Sequence, residues 1–375
     1  MRVLHVPSTD GVVLEVQDRA VSSSAPGGAG VEREAPVVYL LAHANGFHGR
    51  VFDPLVDALV RHGRPARMVT FDMRAHGGST APLVSTARSR LEALRWDRFA
   101  DDVLAVVDAL GVRGRCVGVG HSLGGHAMLR AEARRPGTFA SIVAHEPIFV
   151  VPDDALPRGT AKTPLAEAAA RRRRRFASRE AALAAFASKP PLDALHPDAL
   201  RAYCEHGFTS ASANEKGGER ESVIESRWRT GEARARAGRE VQLAMAPEDE
   251  SAVFSAGAEE AGALPAIANR RLKCPVTIIC GSTAVAGAPG AAAYAAVIAP
   301  VIVDALRAGG AEARLESKPA MNHFGPIQDP ESFAEAAWRH ADWARARGGG
   351  RGGGGTAGDV GGETNGGRVW IRSRL

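Results

Sequence analysis

The feature that most constrains the fold of this chain is an alternation of short apolar runs with helical segments. The run VVYLLAHA at 37–44 is continuously apolar and of strand length, which is typical of a strand buried on both faces. Because strands that alternate with helices pair in parallel, the pattern predicts an α/β fold with a mostly parallel sheet and helices on both faces. The predicted strands are 37–44, 66–72, 115–120 and 139–146, after an N-terminal hairpin at about 2–17, and the predicted helices are 51–63, 99–111 and 122–135.

The alternation breaks after the sixth predicted strand. Residues 152–271 are rich in alanine, arginine and glutamate, and they read as helical near 162–188, 197–206, 219–237 and 258–271. From Pro275 the alternation resumes, with strands at 276–281 and 313–320 and helices at 291–309 and 330–347. We therefore expect a core in two parts, 1–150 and 272–347, a helical cap at 151–271 over the carboxyl edge of the sheet, and a disordered glycine-rich tail at 348–375.

Composition excludes several classes of protein. The net charge is +5, but only 5% of the 375 residues are aromatic, and no basic stripe carries stacking rings, which argues against a nucleic-acid partner. The run Arg171–Arg175 is interpreted as a solvated helix face. The 4 cysteines have no metal-ligand or disulfide spacing, so we expect a reducing compartment and no metal site. No apolar run reaches membrane-spanning length, and none at the N-terminus is typical of a signal peptide.

The segment GVGHSLGGH at 118–126 places Ser122 between a predicted strand and a predicted helix. A tight strand–turn–helix corner needs small residues two before and two after its centre, and Gly120 and Gly124 occupy those positions. Such an elbow presents a serine hydroxyl above the sheet edge, beside a helix N-terminus that favours negative charge. We therefore predict that Ser122 is a nucleophile.

With this motif the chain resembles the α/β-hydrolase family, in the branch with a helical cap. His43-Ala44-Asn45-Gly46 resembles the loop that supplies one oxyanion-hole amide, which implies the backbone N–H of Asn45 as a donor and that of Leu123 as the second. The segment at 71–79, FDMRAHGGS, resembles a loop of mostly architectural role, so we expect Asp72, Arg74 and His76 to be structural.

His323 is the predicted general base, since Met321-Asn322-His323-Phe324 follows the last strand, where the resemblance places the catalytic histidine. A base at that position can reach the serine across the sheet edge. His121 and His126 flank the nucleophile and are interpreted as structural or cavity-lining, and His145 as a residue that lines the pocket.

The acid of the triad is the difficult member. The family usually carries it after the seventh strand, but Gly281-Ser282-Thr283-Ala284 holds no carboxylate, and none follows before Asp304. Either the triad is degraded or the acid comes from another strand. Glu146, at the end of the sixth strand, is the candidate, because some branches of the fold, including a subset of haloalkane dehalogenases, place their acid there.

A serine at the elbow, where dehalogenases and epoxide hydrolases have an aspartate, implies acyl transfer through an acyl-enzyme. The expected function is a serine hydrolase that cleaves a carboxylic ester or thioester, with a small-molecule and lipid-like acyl substrate and no cofactor. Two alternatives stay open: a C–C bond hydrolase with the same triad, or a non-catalytic ligand-binding homologue. A Glu146 carboxylate beyond hydrogen-bond reach of His323 favours the second.

The final residues Ser373-Arg374-Leu375 match a variant of the S-K-L peroxisomal address. They predict an import receptor as a partner and a peroxisomal location. The alternative location is cytoplasmic.

Overall fold

The fold is built on a twisted eight-stranded sheet whose order is β1-β2-β4-β3-β5-β6-β10-β11. A computed structural model describes residues 1–21, 37–61, 66–82, 86–151, 165–211, 240–257, 262–269, 272–283 and 297–348. The N-terminal hairpin pairs antiparallel, β2 also pairs antiparallel with β4, and the other strand pairs are parallel. The sheet strands are β1 Arg2–Pro7, β2 Val13–Val21, β3 Val37–Ala42, β4 Ala66–Phe71, β5 Cys116–His121, β6 Ser141–His145, β10 Val276–Gly281 and β11 Ala313–Lys318.

Apolar layers lie on both faces of this sheet, which is why its central strands β5, β6 and β10 are buried at every position. Along β3, Leu40 contributes to one buried cluster while Tyr39 and Leu41 contribute to the other. The predicted α/β fold with a mostly parallel sheet is therefore confirmed. The helices of the core are α1 Asp53–Arg61, α2 Ala87–Ala93, α3 Trp96–Ala109, α4 Leu123–Arg134, α10 Ala299–Ala308, α11 Gly325–Gln328 and α12 Pro330–Gly348.

The cap lies between β6 and β10 and supplies no strand to the eight-stranded sheet among the described residues. It is not purely helical, because it contains a small antiparallel sheet in the order β7-β9-β8. Strands of two or three residues are too short to show a periodicity, so the sequence did not reveal them. The elements of the cap are α5 Leu165–Ala170, β7 Arg175–Phe176, α6 Arg179–Ala187, α7 Pro197–His206, β8 Phe208–Ser210, β9 Val241–Leu243, α8 Pro247–Ala256 and α9 Ala263–Ala268.

One sequence prediction about the cap is wrong, and three others concern residues outside the described ranges. The helix predicted at 162–188 is interrupted, since the arginine run at 171–175 forms a turn that enters β7 rather than a helix face. The helix predicted at 219–237, the glycine-rich tail beyond 348 and the address Ser373-Arg374-Leu375 lie outside the described residues, so they stay predictions. None of the helices in the described ranges has the length and apolar character needed to cross a membrane.

A buried carboxylate joins the two parts of the core. Glu132 of α4 is fully buried and accepts four backbone N–H groups. One oxygen binds the amides of Gly137 and Lys273, at 2.8 and 3.1 Å, and the other binds those of Thr138 and Phe139, at 2.8 and 3.1 Å. These bonds fix the chain returning from the cap to the loop that enters β6.

We predict that Glu132→Gln destabilises the fold by about 3 kcal/mol, because one carboxylate oxygen becomes an NH₂ group that faces two N–H donors. Urea unfolding measures the change in free energy. Glu205→Gln is the control, since that side chain is 65% exposed, and we expect its stability to match the wild type. Equal stability of the two variants would contradict the role of Glu132.

Candidate active site

The turn at Ser122 is strained, as a nucleophile elbow requires. Ser122 has φ of 53° and ψ of −113°, a conformation that a non-glycine residue rarely adopts. A Cβ atom at Gly120 would lie 2.5 Å from the Cα of Gly125, and one at Gly124 would lie 2.2 Å from the carbonyl oxygen of Ala42. The glycines are therefore required by close backbone approach, and the turn holds Ser122 at the carboxyl edge of β5.

The N-terminus of α4 begins directly after this serine. Leu123 is the first residue of the helix, and within the described part of the chain its amide donates no hydrogen bond. The amide of Asn45, in the loop after β3, likewise has no acceptor among the described residues. Free amides beside a helix N-terminus favour a negatively charged oxygen.

Glu146 lies one residue beyond β6, and its carboxylate contacts His323. Its Oε2 accepts a hydrogen bond from Nδ1 of His323 at 2.8 Å, and its Oε1 accepts the backbone N–H of Gly281 at 3.0 Å. Glu146 has φ of 41°, and its own amide donates to the carbonyl of Ile279 at 2.9 Å. The carboxylate therefore reaches the histidine loop from the end of β6, and the end of β10 provides an amide that binds it.

The environment of Glu146 keeps the carboxylate charged although it is 2% exposed. Burial by itself raises the pKa of Glu146. The hydrogen bond and charge of His323 and the hydrogen bond of the Gly281 amide together lower the pKa by more, so it lies below the usual value. A charged carboxylate can only accept, so Nδ1 of His323 is the donor in their 2.8 Å hydrogen bond, and this contact leaves the other ring nitrogen, Nε2, uninvolved.

Two buried histidines hold the backbone of the loop that carries His323. Nε2 of His121 donates to the carbonyl oxygen of His323 at 2.6 Å, and Nε2 of His145 donates to that of Asn322 at 2.9 Å. Burial lowers the pKa of His145 to about 4, and that of His121 well below its usual range. Both are neutral rings with structural contacts to this loop.

Two further histidines join the Asn45 loop to the loop after β4. Nδ1 of His43 donates to the carbonyl of Ala44, and its Nε2 accepts the Met73 amide at 3.0 Å. In the opposite direction, Nδ1 of His76 donates to the carbonyl of Arg74 at 2.8 Å, and its Nε2 accepts the Gly46 amide at 3.1 Å. The rings contact each other edge to face, with centroids 4.9 Å apart.

The other polar residues of the loop after β4 have structural contacts. Asp72 accepts the amides of Gly49 and Gly78 at 2.7 and 2.6 Å. Arg74 is fully buried and forms a two-bond contact with Asp102, at 2.9 and 2.7 Å. Neither side chain contacts the Glu146–His323 pair.

Sequence reasoning missed a second charged pair, Arg172 and Glu250, which lies over the Asn45 loop. The two residues are 78 positions apart and belong to different parts of the cap. No local pattern in the sequence indicates this pairing; the only signal is one arginine within a run that suggests a solvated surface.

Comparison with known proteins places this geometry in a family. The profile of the alpha/beta hydrolase fold matches residues 36–281. The chain belongs to the α/β-hydrolase fold family. The enzyme class predicted from the sequence, hydrolase, is that of this family.

One curated relative and several solved structures are similar to this α/β-hydrolase chain. A bifunctional esterase/perhydrolase from Acinetobacter calcoaceticus is 32% identical over 133 residues, and the match spans 35% of this chain and 44% of that protein. The structure of E-2-(acetamidomethylene)succinate hydrolase has a TM-score of 0.60 at 18% identity, covering 91% of this chain and 100% of that one. A peroxisomal α/β-hydrolase from Saccharomyces cerevisiae has a TM-score of 0.61 at 15% identity, covering 91% and 85%. These likenesses support the fold.

We predict that the fold loses stability as the pH falls from about 6.5 towards about 4. Four fully buried histidines have a pKa lowered by burial to about 4, namely His48, His76, His126 and His145. In that window the unfolded chain binds protons that the folded chain excludes, so each costs about 2 kcal/mol at pH 5.

Urea unfolding at pH 7.5, 6 and 5 checks the prediction, and we expect the free energy of unfolding to fall by several kcal/mol. A free energy of unfolding that stays constant between pH 7.5 and pH 5 would show that these rings are not held neutral in the folded chain.

Proposed function

We propose that this protein is a serine hydrolase that cleaves a carboxylic ester or thioester through an acyl-enzyme intermediate. The observation that carries the proposal is the 2.8 Å hydrogen bond between Glu146 Oε2 and His323 Nδ1 at the sheet edge where Ser122 lies. A carboxylate within hydrogen-bond reach of the histidine supports catalysis over a non-catalytic binding role.

In the proposed first step, Nε2 of His323 takes the proton of the Ser122 hydroxyl as its oxygen attacks the carbonyl carbon of the substrate. The negative charge that develops on the carbonyl oxygen is stabilised by the amides of Asn45 and Leu123. Glu146 stabilises the imidazolium. The carbon–oxygen or carbon–sulfur bond then breaks, and the leaving alcohol or thiol departs with the proton from His323.

In the second step, His323 takes a proton from water, whose oxygen attacks the acyl carbon of the intermediate. Collapse releases a carboxylic acid and returns the proton to Ser122. Each proton thus passes through Nε2 of one ring, and no cofactor is needed for the balance.

The proposed substrate class rests on the serine nucleophile and is supported by the relative named an esterase/perhydrolase. A structural neighbour that is a thioesterase domain of a curacin pathway, with a TM-score of 0.57 at 13% identity, covers 90% of this chain and 99% of that one. We propose acyl esters or thioesters, with a lipid-like acyl chain under the cap as the finer possibility to be tested.

A substrate panel separates the candidate functions. Activated acetate, butyrate and octanoate esters and an acyl thioester test the proposal, and a vinylogous diketone tests the C–C bond hydrolase. Labelling of Ser122 by a fluorophosphonate tests whether the serine is activated. Turnover of the diketone alone would exclude the esterase. If the protein neither turns over any substrate nor is labelled at Ser122, it is not a serine hydrolase.

We predict that Glu146→Gln lowers kcat about 10³- to 10⁴-fold while the fold is kept. The backbone N–H of Gly281 still binds the side-chain oxygen of the glutamine, so the glutamine NH₂ group faces Nδ1 of His323. Nδ1 must then accept, the proton of the ring moves to Nε2, and Nε2 can no longer take the proton of the serine. Steady-state kinetics on the best ester measure the effect.

Glu335→Gln is the matched control, because its side chain is 58% exposed on α12, and we expect wild-type kcat. Ser122→Ala should abolish both turnover and labelling. If Glu146→Gln kept wild-type kcat, Glu146 would not be the acid of the triad.

A further inference from the structure

The outer side of the Asn45 loop is covered by the cap. The side-chain amide of Asn45 donates to the backbone carbonyl of Glu250 at 3.2 Å, and this contact is buried. Glu250 lies in the first turn of α8, and its side chain is 8% exposed. A cap helix is therefore bonded directly to the residue whose backbone N–H is the proposed oxyanion donor.

The approach of the cap to this loop is as close as a glycine allows. A Cβ atom at Gly46 would lie 2.6 Å from Oε1 of Glu250 and 3.2 Å from Nη1 of Arg172. Gly46 also has φ of +81°, which side chains rarely adopt. The charged groups thus lie directly against the backbone of the loop.

The charge of Glu250 is paired within the cap. Arg172 donates from Nη1 to Oε2 of Glu250 and from Nη2 to the hydroxyl of Tyr203 at 2.7 Å. The ring of Tyr203 packs against Phe47 of the same loop, with centroids 5.3 Å apart. The cap therefore contacts Phe47 of the loop as well as Asn45, and its part-buried ion pair is bonded to the same Tyr203 that packs on Phe47.

The opposite side of the loop is tethered to the core. The Gly46 amide donates to Nε2 of His76, and His43 fixes the start of the loop. The side chain of Asn45 contacts both the core and the cap, because its Oδ1 lies 3.2 Å from Nε2 of His76 and its NH₂ group donates to the backbone carbonyl of Glu250 at 3.2 Å. The orientation of the peptide between Ala44 and Asn45 thus depends on both tethers.

We propose that Glu250 and its counter-ion Arg172 are positioning residues that hold the Asn45 N–H in place to stabilise the oxyanion. The cap then completes half of the oxyanion hole, in addition to covering the substrate. This inference rests on the proposed function. It predicts a loss in transition-state stabilisation rather than in substrate binding when the pair is broken.

The test measures kcat and KM on an activated short-chain ester for Glu250→Gln, Asn45→Ala and the double variant. The inhibition constant of an aryl boronic acid, which mimics the tetrahedral intermediate, is measured beside them. Loss of one oxyanion donor costs about 10²- to 10³-fold, so a displaced donor should lower kcat roughly 10- to 100-fold. We expect KM to stay within about threefold and the boronic acid to bind weaker by the same factor as kcat.

A double-mutant cycle tests whether the two residues act through one contact. The side-chain pair of Glu250 and Arg172 holds the turn of α8 whose backbone carbonyl accepts the Asn45 side chain, so both substitutions act through that one contact. The double variant should therefore be no slower than the slower single variant. Multiplicative losses in kcat would show independent effects and overturn the proposal. Lysine at position 172 keeps the charge, so Arg172→Lys should retain more kcat than Arg172→Met.

Arg90→Met is the matched control for weakened attachment of the cap. Arg90 of α2 pairs at 2.7 Å with Asp249, the residue before Glu250, so its loss removes a cap–core ion pair away from the Asn45 loop. We expect kcat within about twofold of the wild type. If Glu250→Gln behaves like Arg90→Met, or changes KM alone, the positioning role is wrong.

Two further outcomes separate misfolding of a variant, failure of the positioning role and failure of the proposed function. If Glu250→Gln fails to fold by circular dichroism, Asn45→Ala decides by itself, and an unchanged kcat in that variant overturns the proposal. Failure of the wild type to turn over esters or to label at Ser122 would instead refute the proposed function, which is a separate result.

Discussion

The candidate site depends on the register of three parallel strands at one edge of the sheet. The ends of β5 and β6 pair His121 with His145, and the amide of Ser122 continues that ladder by donating to the carbonyl of His145 at 2.9 Å. The amide of Glu146 continues the ladder to β10, at Ile279. Main-chain hydrogen bonds therefore fix the spacing of the serine and the carboxylate before any side chain contributes, and a slip of one residue would turn both to the opposite face.

The position of the acid follows from the same edge. A carboxylate that follows β6 reaches the histidine loop only if the backbone turns towards that loop, and the positive φ of Glu146 provides this turn. The end of β10 contributes a hydrogen bond instead of a carboxylate, since the backbone N–H of Gly281 donates to Glu146. A Cβ atom at Gly281 would lie 2.1 Å from the carbonyl of Met321, so the strand end that lacks an acid must also lack a side chain.

Much of this arrangement was predictable because its signals are local. Apolar runs show the strands, and small residues around Ser122 show the elbow. Glu146, directly after β6, became the candidate acid only because the sequence has no carboxylate at the usual position after Gly281. The Arg172–Glu250 pair was not predictable, because it joins residues 78 apart through a cap whose strands are two or three residues long. The roles of His121 and His145 also needed the fold, since their acceptors lie 202 and 177 residues away.

The environment of each histidine selects the base. A neutral imidazole offers one N–H donor and one acceptor, so a buried ring can join two loops without a net charge, as His43 and His76 do. That use requires a low pKa, and burial without a carboxylate partner provides it. The surroundings of His323 differ, because its side chain is 34% exposed and bonded to Glu146. Burial thus keeps the rings of His43 and His76 neutral, and only the ring of His323 combines exposure with a carboxylate partner among these three histidines.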